Sequence, residues 1–210
     1  MSDVVIRPLR FTADVEAMRA FLESLGLRSR IESERGGWVD MVTGDGMVAL
    51  HDAASSSTGG QPGQTSLSFE ADKLDDVKDR LEQAGFTEVT VFDEAYGRVL
   101  SVTGPDDVVI WIDERTEDLY GYKLHDANPD ERWSVTPYLT GADEDAWRRF
   151  LAALTVGTTV RFGPGPAFAV RLDLTTTEDL DEVARRVEGT RTEAGLELTD
   201  PDGQLVVIHG

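Results

Sequence analysis

The sequence predicts an α+β protein in which paired βαβββ modules form curved mixed sheets, with one complete domain followed by a second, truncated one. Three observations predict this fold. Apolar segments of strand length alternate with segments of helical periodicity that end at a glycine. The order of one strand, one helix and three strands recurs along the 210 residues. Similar turns, at 104–107 and 200–203, precede the last predicted strand of the second and fourth modules.

The first module covers residues 3–52. An apolar strand over 3–11 is followed by a helix whose apolar residues, from Val15 to Leu25, recur at helical spacing and stop at Gly26. Glycine favours the backbone conformation that ends a helix. Turn glycines then separate three short segments, which we interpret as strands over 28–34, 38–43 and 47–52.

The second module covers residues 64–114 and follows a Ser/Gly-rich linker over 53–63. A strand over 65–70 precedes a helix that contains Leu74, Val77 and Leu81 at helical spacing and ends near Gly85. The three strands that follow are predicted over 88–92, 98–102 and 108–113. The two modules together give a complete domain over 1–114.

A polar linker over 115–131 leads to the second half, 132–210. The third module starts with a strand over 133–139 and a helix around Trp147, but one strand only, over 159–162, fits before a Gly-Pro-Gly-Pro break. It therefore lacks about two strands. The fourth module is more complete, with strands over 168–174, 194–198 and 205–209 and a helix that starts near Leu180.

Charge and composition exclude several classes of function. The 40 acidic residues against 20 Lys and Arg give a formal charge of −20, which repels phosphate backbones and anionic bilayers, so we expect no nucleic-acid or membrane partner. No segment is apolar enough to be a signal peptide or a membrane span. Without cysteine there is no thiolate metal site or cysteine nucleophile, and we expect a cytoplasmic protein.

The repeated modules resemble the vicinal oxygen chelate superfamily, the group of glyoxalases, bleomycin-resistance proteins and ring-cleaving dioxygenases. The resemblance rests on the module order, on the turn Asp200-Pro201-Asp202-Gly203 with its counterpart at 104–107, and on the similar helix starts at 74–77 and 180–183. It covers nearly the whole chain. It implies that two modules pair their curved sheets around a cleft.

The resemblance also implies where a metal would be bound, since the enzymes of the family hold a divalent ion with His, Gln or Glu near the first and last strands of each module. The corresponding positions, to within about one residue, are Ile6, Leu50, Gln64 and Trp111. Three of these offer no metal-binding atom, as is the case for Val135, Ala169 and Val207 in the second half. We therefore expect no metal and no cofactor. A shift of one residue would instead bring in His51, with Glu70 and Asp113 as partners.

The inward face of the first domain is the candidate binding site. Strand alternation places aromatic and apolar side chains there with a few polar groups, which suits a flat organic ligand. Aromatic faces bind planar rings or cations, and acidic surroundings attract cations. Packing in the protein core is the alternative role for the aromatic residues. The candidate ligand-binding residues are Arg7, Trp38, Asp40, His51, Gln64, Tyr96 and Trp111.

Three functions remain open on these grounds. The first and favoured one is a metal-free protein, similar to the antibiotic-binding bleomycin-resistance branch, that binds or sequesters a small aromatic or cationic molecule. The second is an enzyme, a lyase, isomerase or dioxygenase, that uses His51 or Tyr96 as acid or base or holds a metal with other ligands. The third is a structural module, for example a homodimer, because the missing strands leave a sheet edge that needs cover.

Overall fold

The computed structural model describes residues 3–57, 59–116, 120–156 and 160–210, and it confirms the predicted α+β fold with mixed sheets. Its helices are α1 (Val15–Ser24), α2 (Leu74–Gln83), α3 (Glu144–Ala153) and α4 (Leu180–Arg186). The strands of the first half are β1 (Val4–Ile6), β2 (Leu9–Thr12), β3 (Arg28–Ser33), β4 (Trp38–Val42), β5 (Met47–Asp52), β6 (Thr65–Ser66), β7 (Ser68–Ala71), β8 (Thr90–Glu94), β9 (Gly97–Thr103), β10 (Val109–Glu114) and β11 (Tyr122–Leu124). Those of the second half are β12 (Trp133–Val135), β13 (Tyr138–Thr140), β14 (Arg161–Gly163), β15 (Ala169–Arg171), β16 (Leu174–Thr176), β17 (Thr190–Thr192), β18 (Gly195–Thr199) and β19 (Leu205–His209).

Three of the helices begin at an aspartate whose side chain accepts a hydrogen bond from the first helical turn. Asp14 accepts from the Ala17 N–H at 3.0 Å, and Asp143 does the same for Ala146 at 3.0 Å. Such caps satisfy backbone donors that have no partner within the helix. Each helix then buries one apolar stripe against its sheet, as Met18 and Leu22 of α1 show.

The first two modules form two sheets that exchange strands. The sheet of the first module has the order β11-β3-β4-β5-β2-β6, and that of the second has the order β1-β7-β10-β9-β8. The predicted strand over 3–11 is in fact broken at Arg7 and Pro8, so that β1 pairs with β7 of the second module while β2 stays in the first. Proline has no N–H for a sheet ladder, which favours a break there. The same exchange occurs at Leu67, between β6 and β7.

The third module shows which strands are missing. Its sheet has the order β14-β13-β15, and β14 is parallel to β13 in the way that β5 is parallel to β2 in the first module. β14 is therefore the last strand of its module, and in the described part of the chain the two middle strands are absent. The fourth module is complete, with the order β12-β16-β19-β18-β17.

Several local predictions were wrong. The polar segment 115–131 contains β11, which extends the first sheet by pairing with β3, and 190–192 forms β17, which we had not predicted. Both are three-residue edge strands, too short for an alternating pattern to show in the sequence. The strand predicted over 88–92 lies at Thr90–Glu94. The strand predicted over 159–162 lies at Arg161–Gly163, and Thr159 itself is outside the described residues.

One continuous hydrophobic cluster joins the two halves. Phe150 of α3 contacts Phe69 and Phe86 of the second module, with ring centroids 6.4 and 5.1 Å apart. Trp133 is fully buried and packs against Gly26 at the end of α1. The division into domains over 1–114 and 132–210 stays a prediction. Among the described residues, none of the helices has the length and apolar composition that crossing a bilayer requires.

The two similar turns noticed in the sequence contact opposite halves of the molecule. Asp106, in the turn before β10, accepts hydrogen bonds from the Asp143 N–H at 3.1 Å and the Trp147 indole N–H at 2.7 Å, both at the start of α3. Asp202, in the turn before β19, accepts from the Ala13 N–H at 2.9 Å, just before α1. Each turn therefore binds the start of a helix in the other half.

Candidate functional site

A cavity of about 610 Å³ lies between the two sheets of the first half. Each candidate residue from the sequence lines it: Arg7, Trp38, Asp40, His51, Gln64, Tyr96 and Trp111. Alternation along the strands explains why. On β4, Trp38 and Asp40 face the cavity, whereas Val39 between them is fully buried in the core. On β10, Trp111 and Asp113 share the cavity face in the same way.

The walls of the cavity are aromatic and come from both sheets. Trp38 meets the His51 ring edge-on, with centroids 5.6 Å apart, and His51 lies 5.8 Å from Phe11. On the opposite sheet, Trp111 meets Phe92 edge-on at 5.9 Å. These contacts fix the orientation of both indoles before any ligand arrives, because each is held by a neighbouring ring.

The base of the cavity carries a network of three arginines and three carboxylates, which we call the charged floor: Arg7, Arg30, Arg115, Asp40, Glu70 and Asp113. Arg7 lies at the break between β1 and β2, and its guanidinium donates to Asp113 and to Asp40, the latter at 3.4 Å. Arg30 donates to both oxygens of Glu70 and to Asp40 at 3.0 Å. Arg115 donates to Glu70 at 2.8 Å.

Sequence reasoning missed Arg30 and Arg115, and it considered Glu70 and Asp113 only as partners of a metal. Glu70 is 40 residues from Arg30 and 45 from Arg115 along the chain, so no local pattern connects them. One signal was available for Asp113, since it is two residues from Trp111 on a strand whose alternate side chains share a face.

Mutual contact sets the ionisation of this network. Burial alone would lower the pKa of Arg7, but the charges of Asp40, Asp113 and Glu70 outweigh burial and raise it. Burial alone would raise the pKa of Glu70, but the hydrogen bonds and charges of Arg30, Arg7 and Arg115 together lower it below its ordinary value. For Asp113, burial dominates and its pKa is raised despite Arg7.

Tyr96 and Tyr122 lie at the mouth of the cavity. Burial, followed by the charges of Asp113 and Glu94, raises the pKa of Tyr96 to about 12. The pKa of Tyr122 is raised as well, first by burial and then by Asp40 and Asp113. Both phenols are therefore protonated at neutral pH, where they can donate hydrogen bonds but cannot act as bases.

The donor set does not fit a divalent metal ion. Ile6 and Leu50, which we expected to face the cleft, are fully buried in the core, and their neighbours Arg7 and His51 line the cavity instead. The alternative set of His51, Glu70 and Asp113 does not form a metal site, since no three His, Cys, Asp or Glu side chains of the described residues are arranged to hold a metal ion. The floor carboxylates instead bind arginines, which compete with a cation for the same oxygens.

The second half has a smaller counterpart of this network. Arg171 binds both oxygens of the fully buried Asp173, at 2.6 and 2.7 Å, and His209 contacts Asp173 at 2.9 Å. Val135 and Val207, the positions considered for metal ligands, are buried in the core. The contacts of Asp173 are again those of a carboxylate neutralised by a guanidinium.

Comparison with known proteins gives structural matches alone. The sequence matches no protein-family model and no curated protein. A catechol 2,3-dioxygenase superposes with a TM-score of 0.62 and 13% identity over 99% of this chain and 88% of its own. A 2,3-dioxygenase from Pseudomonas sp. KL28 gives 0.61 and 13% over 100% and 94%. A Mn(II)-bound glyoxalase from Novosphingobium aromaticivorans gives 0.58 and 14% over 99% and 81%.

These matches extend over both halves of the chain, including the truncated third module. The chain has the vicinal oxygen chelate fold, and the resemblance drawn from the sequence is confirmed at the level of the fold. At 13–14% identity the likeness says nothing about the ligand or the chemistry.

Proposed function

We propose that this protein binds a small aromatic or cationic compound in the cavity of its first half, without a bound metal. The observation that carries the proposal is a cavity of about 610 Å³ whose walls present an indole from each of two facing sheets, Trp38 and Trp111. A volume of this size suits a drug-sized molecule, and two pre-oriented indoles suit a flat one.

The balance of positive and negative side chains in the cavity favours a ligand that does not need a strong ion pair. The lining contains as many arginines as carboxylates: Arg7, Arg30, Arg98 and Arg115 against Asp40, Glu70, Asp113 and Glu114. The protein as a whole carries a formal charge of −20, which favours the approach of cations over anions. Indole faces add cation–π attraction for a ligand that carries a positive group.

Three naphthalene compounds test the proposal, because they share one ring system and differ in charge: 2-naphthylmethylamine, 2-naphthol and 2-naphthoate. We expect the cation to bind with the lowest Kd, followed by the neutral compound and then the anion. The Trp38→Leu and Trp111→Leu variants should each weaken binding about tenfold, which corresponds to about 1.4 kcal/mol of ring and cation–π contact. Calorimetric titration gives the dissociation constants.

The control is Phe162→Leu, which shortens a half-buried aromatic side chain of the second half, outside the cavity lining. It should leave the Kd unchanged. The proposal fails if the native protein binds none of the three compounds, or if both tryptophan variants bind them as well as the native protein does.

Catalysis is the second candidate function, and the observation that favours it is a histidine in the cavity lining. His51 is the residue best placed for it. Its Nδ1 lies 2.8 Å from the Asp52 carbonyl oxygen and so carries a proton, which leaves Nε2 as the basic nitrogen of the neutral ring. Mass spectrometry of a bound compound after incubation separates the two functions, because a binding protein returns it unchanged and an enzyme does not.

A further inference from the structure

The Arg7 guanidinium lies where three carboxylates from three different strands converge. It contacts Asp40 of β4 at 3.4 Å, Glu70 of β7 at 3.7 Å and Asp113 of β10. The Arg7 side chain is 6% exposed, and those of Asp40 and Glu70 are 4% and 5% exposed. β4 belongs to the first sheet, whereas β7 and β10 belong to the second. The Arg7 guanidinium therefore neutralises carboxylates from both sheets that line the cavity.

The backbone holds Arg7 in this position. Its N–H donates to the Ser68 carbonyl at 2.9 Å, and its own carbonyl accepts from the Ser68 hydroxyl. The guanidinium also lies over the Trp38 ring, 5.7 Å from the centroid. The Arg7 guanidinium is therefore held at the break between β1 and β2, where the chain passes from one sheet to the other. Its side chain does not move freely.

Converging buried carboxylates need a positive charge close by, and in proteins it comes from a basic side chain or a metal ion. Here one carboxylate oxygen remains available. Asp40 Oδ1 is buried and has no hydrogen-bond partner within the described chain, whereas Oδ2 accepts from both Arg30 and Arg7. Arg30 and Arg115 do not bind Asp113, so Arg7 is the arginine of the charged floor that neutralises it.

We propose that Arg7 is a built-in cation that occupies the place of a divalent metal ion in this cavity and keeps metal ions out. The Mn(II)-bound glyoxalase with the same fold shows that the fold can accommodate such an ion. In this chain the guanidinium takes up the oxygens of Asp113 and Asp40 that a metal would use. Removal of the guanidinium then leaves Asp113 and the Oδ1 atom of Asp40 free to bind one divalent ion. This inference does not depend on the identity of the organic ligand.

Arginine variants of the full chain test this inference with Mn²⁺ as the probe. The native protein and Arg7→Lys, which keeps the charge, should show no saturable Mn²⁺ site with a Kd below about 1 mM, the weak end of carboxylate sites. Arg7→Met, which keeps most of the volume, should bind one Mn²⁺ per chain, seen by electron paramagnetic resonance as loss of the free-ion signal. Its melting temperature should rise with Mn²⁺, while that of the native protein stays constant.

Arg98→Met is the matched control, because it removes one positive charge from the same cavity but leaves Arg7 among its carboxylates. It should gain no Mn²⁺ site. The double variant R7M/D113N should lose the site gained by R7M. Equal Mn²⁺ binding by R98M would mean that net charge alone controls metal affinity and would overturn the inference.

A second variant keeps the test valid if R7M is too unstable to purify. Arg7→Gln replaces the cation by a neutral amide whose oxygen can itself coordinate Mn²⁺, and it should also bind one ion per chain. The inference is overturned if the native protein binds Mn²⁺ stoichiometrically in this cavity. It is equally overturned if folded R7M or R7Q binds none.

Discussion

Glu70 remains an anion although it is only 4% exposed. Its carboxylate accepts hydrogen bonds from Arg30 at 3.0 Å and from Arg115 at 2.8 Å. Burial favours the neutral acid, but the contacts with Arg30, Arg7 and Arg115 together outweigh it and lower the pKa below the ordinary value of 4.5. A carboxylate whose pKa is lower in the folded state stabilises the fold above its unfolded-state pKa. That stability is lost as the pH falls through the folded-state value.

The Glu70→Gln variant should therefore be less stable than the native protein at neutral pH. This difference in stability should be smaller in acid. We expect the free energy of unfolding at pH 7 to fall by about 3 kcal/mol, because the half-buried Arg30 and Arg115 lose the charge of their partner. The difference from the native protein should narrow as the pH falls below about 4.5. Urea denaturation of both proteins at pH 7, 5, 4 and 3.5 measures this difference in the free energy of unfolding. A difference that is constant with pH would contradict the assignment, and Asp76→Asn, on the exposed face of α2, is the control.

The candidate ligand-binding residues could be predicted because each is an inward-facing residue or lies in a turn beside one, and alternation is visible in a single sequence. The exact register of the strands could not be predicted. The sequence does not show the strand break between β1 and β2, which leaves Ile6 in the core while its neighbour Arg7 lines the cavity. The charged floor was equally hidden, because Arg7 and Asp113 are 106 residues apart.

The turn between β4 and β5 shows how an element joins the two halves. Gly46 has a φ of +88°, and a Cβ there would lie 2.9 Å from Val135 Cβ and 3.2 Å from Ile6 Cγ2. Next to it, the Asp45 carbonyl accepts from the Val135 N–H at 2.9 Å. A residue with a side chain therefore fits neither the backbone conformation nor the space.

Gly46→Ala and Gly36→Ala separate the effect of the backbone conformation from the effect of the close packing. Gly36 has a similar φ of +77°, but a Cβ added there would have no atom of the described chain within 4 Å. Gly36→Ala should cost about 1 kcal/mol for the left-handed backbone alone. Gly46→Ala should cost at least about 1 kcal/mol more, because Val135 and Ile6 must move. Chemical denaturation measures both, and equal losses would contradict the packing of this turn against the second half.

The truncated third module leaves β14 with one strand partner, β13, in the described part of the sheet. The helices, with their caps and apolar stripes, could be predicted to within about two residues. The three-residue strands β11 and β17 could not, because both are too short to show an alternating pattern; β11 pairs with the distant β3, and β17 forms a hairpin with β18. A homodimer that covers the β14 edge stays a prediction, and sedimentation equilibrium would measure the mass of the assembly.

At the scale of the whole molecule, the two similar turns fasten the halves to each other. The Asp106 carboxylate accepts two hydrogen bonds from the start of α3, one of them from the buried Trp147 indole. Arg10, buried in β2, donates to Asp200 of the other turn and to Gly63 and Thr65. Both turns bind the start of a helix in the other half of the molecule. This shared role gives a physical reason for the repetition of the turn in the sequence.

Asp106→Ala tests this connection against Asp107→Ala. The two residues are neighbours in one turn, both are exposed and both have a φ of 57°, so alanine costs the same in backbone strain. Asp106→Ala also leaves the Trp147 indole N–H without its acceptor, and we expect it to be about 2 kcal/mol less stable than Asp107→Ala. Thermal or urea unfolding compares them. Equal stabilities would show that the turn contributes nothing to the contact between the halves.

The Arg10–Asp200 contact has a consequence for synthesis of the chain. Arg10 is translated 190 residues before its carboxylate partner. A guanidinium that is 3% exposed in the finished protein must stay hydrated on the ribosome, because burial without a partner carries a large free-energy cost. The β2 strand of the nascent chain can therefore reach its final environment only after the 200–203 turn has emerged. Completion of the first half then has to wait until most of the second half has been synthesised.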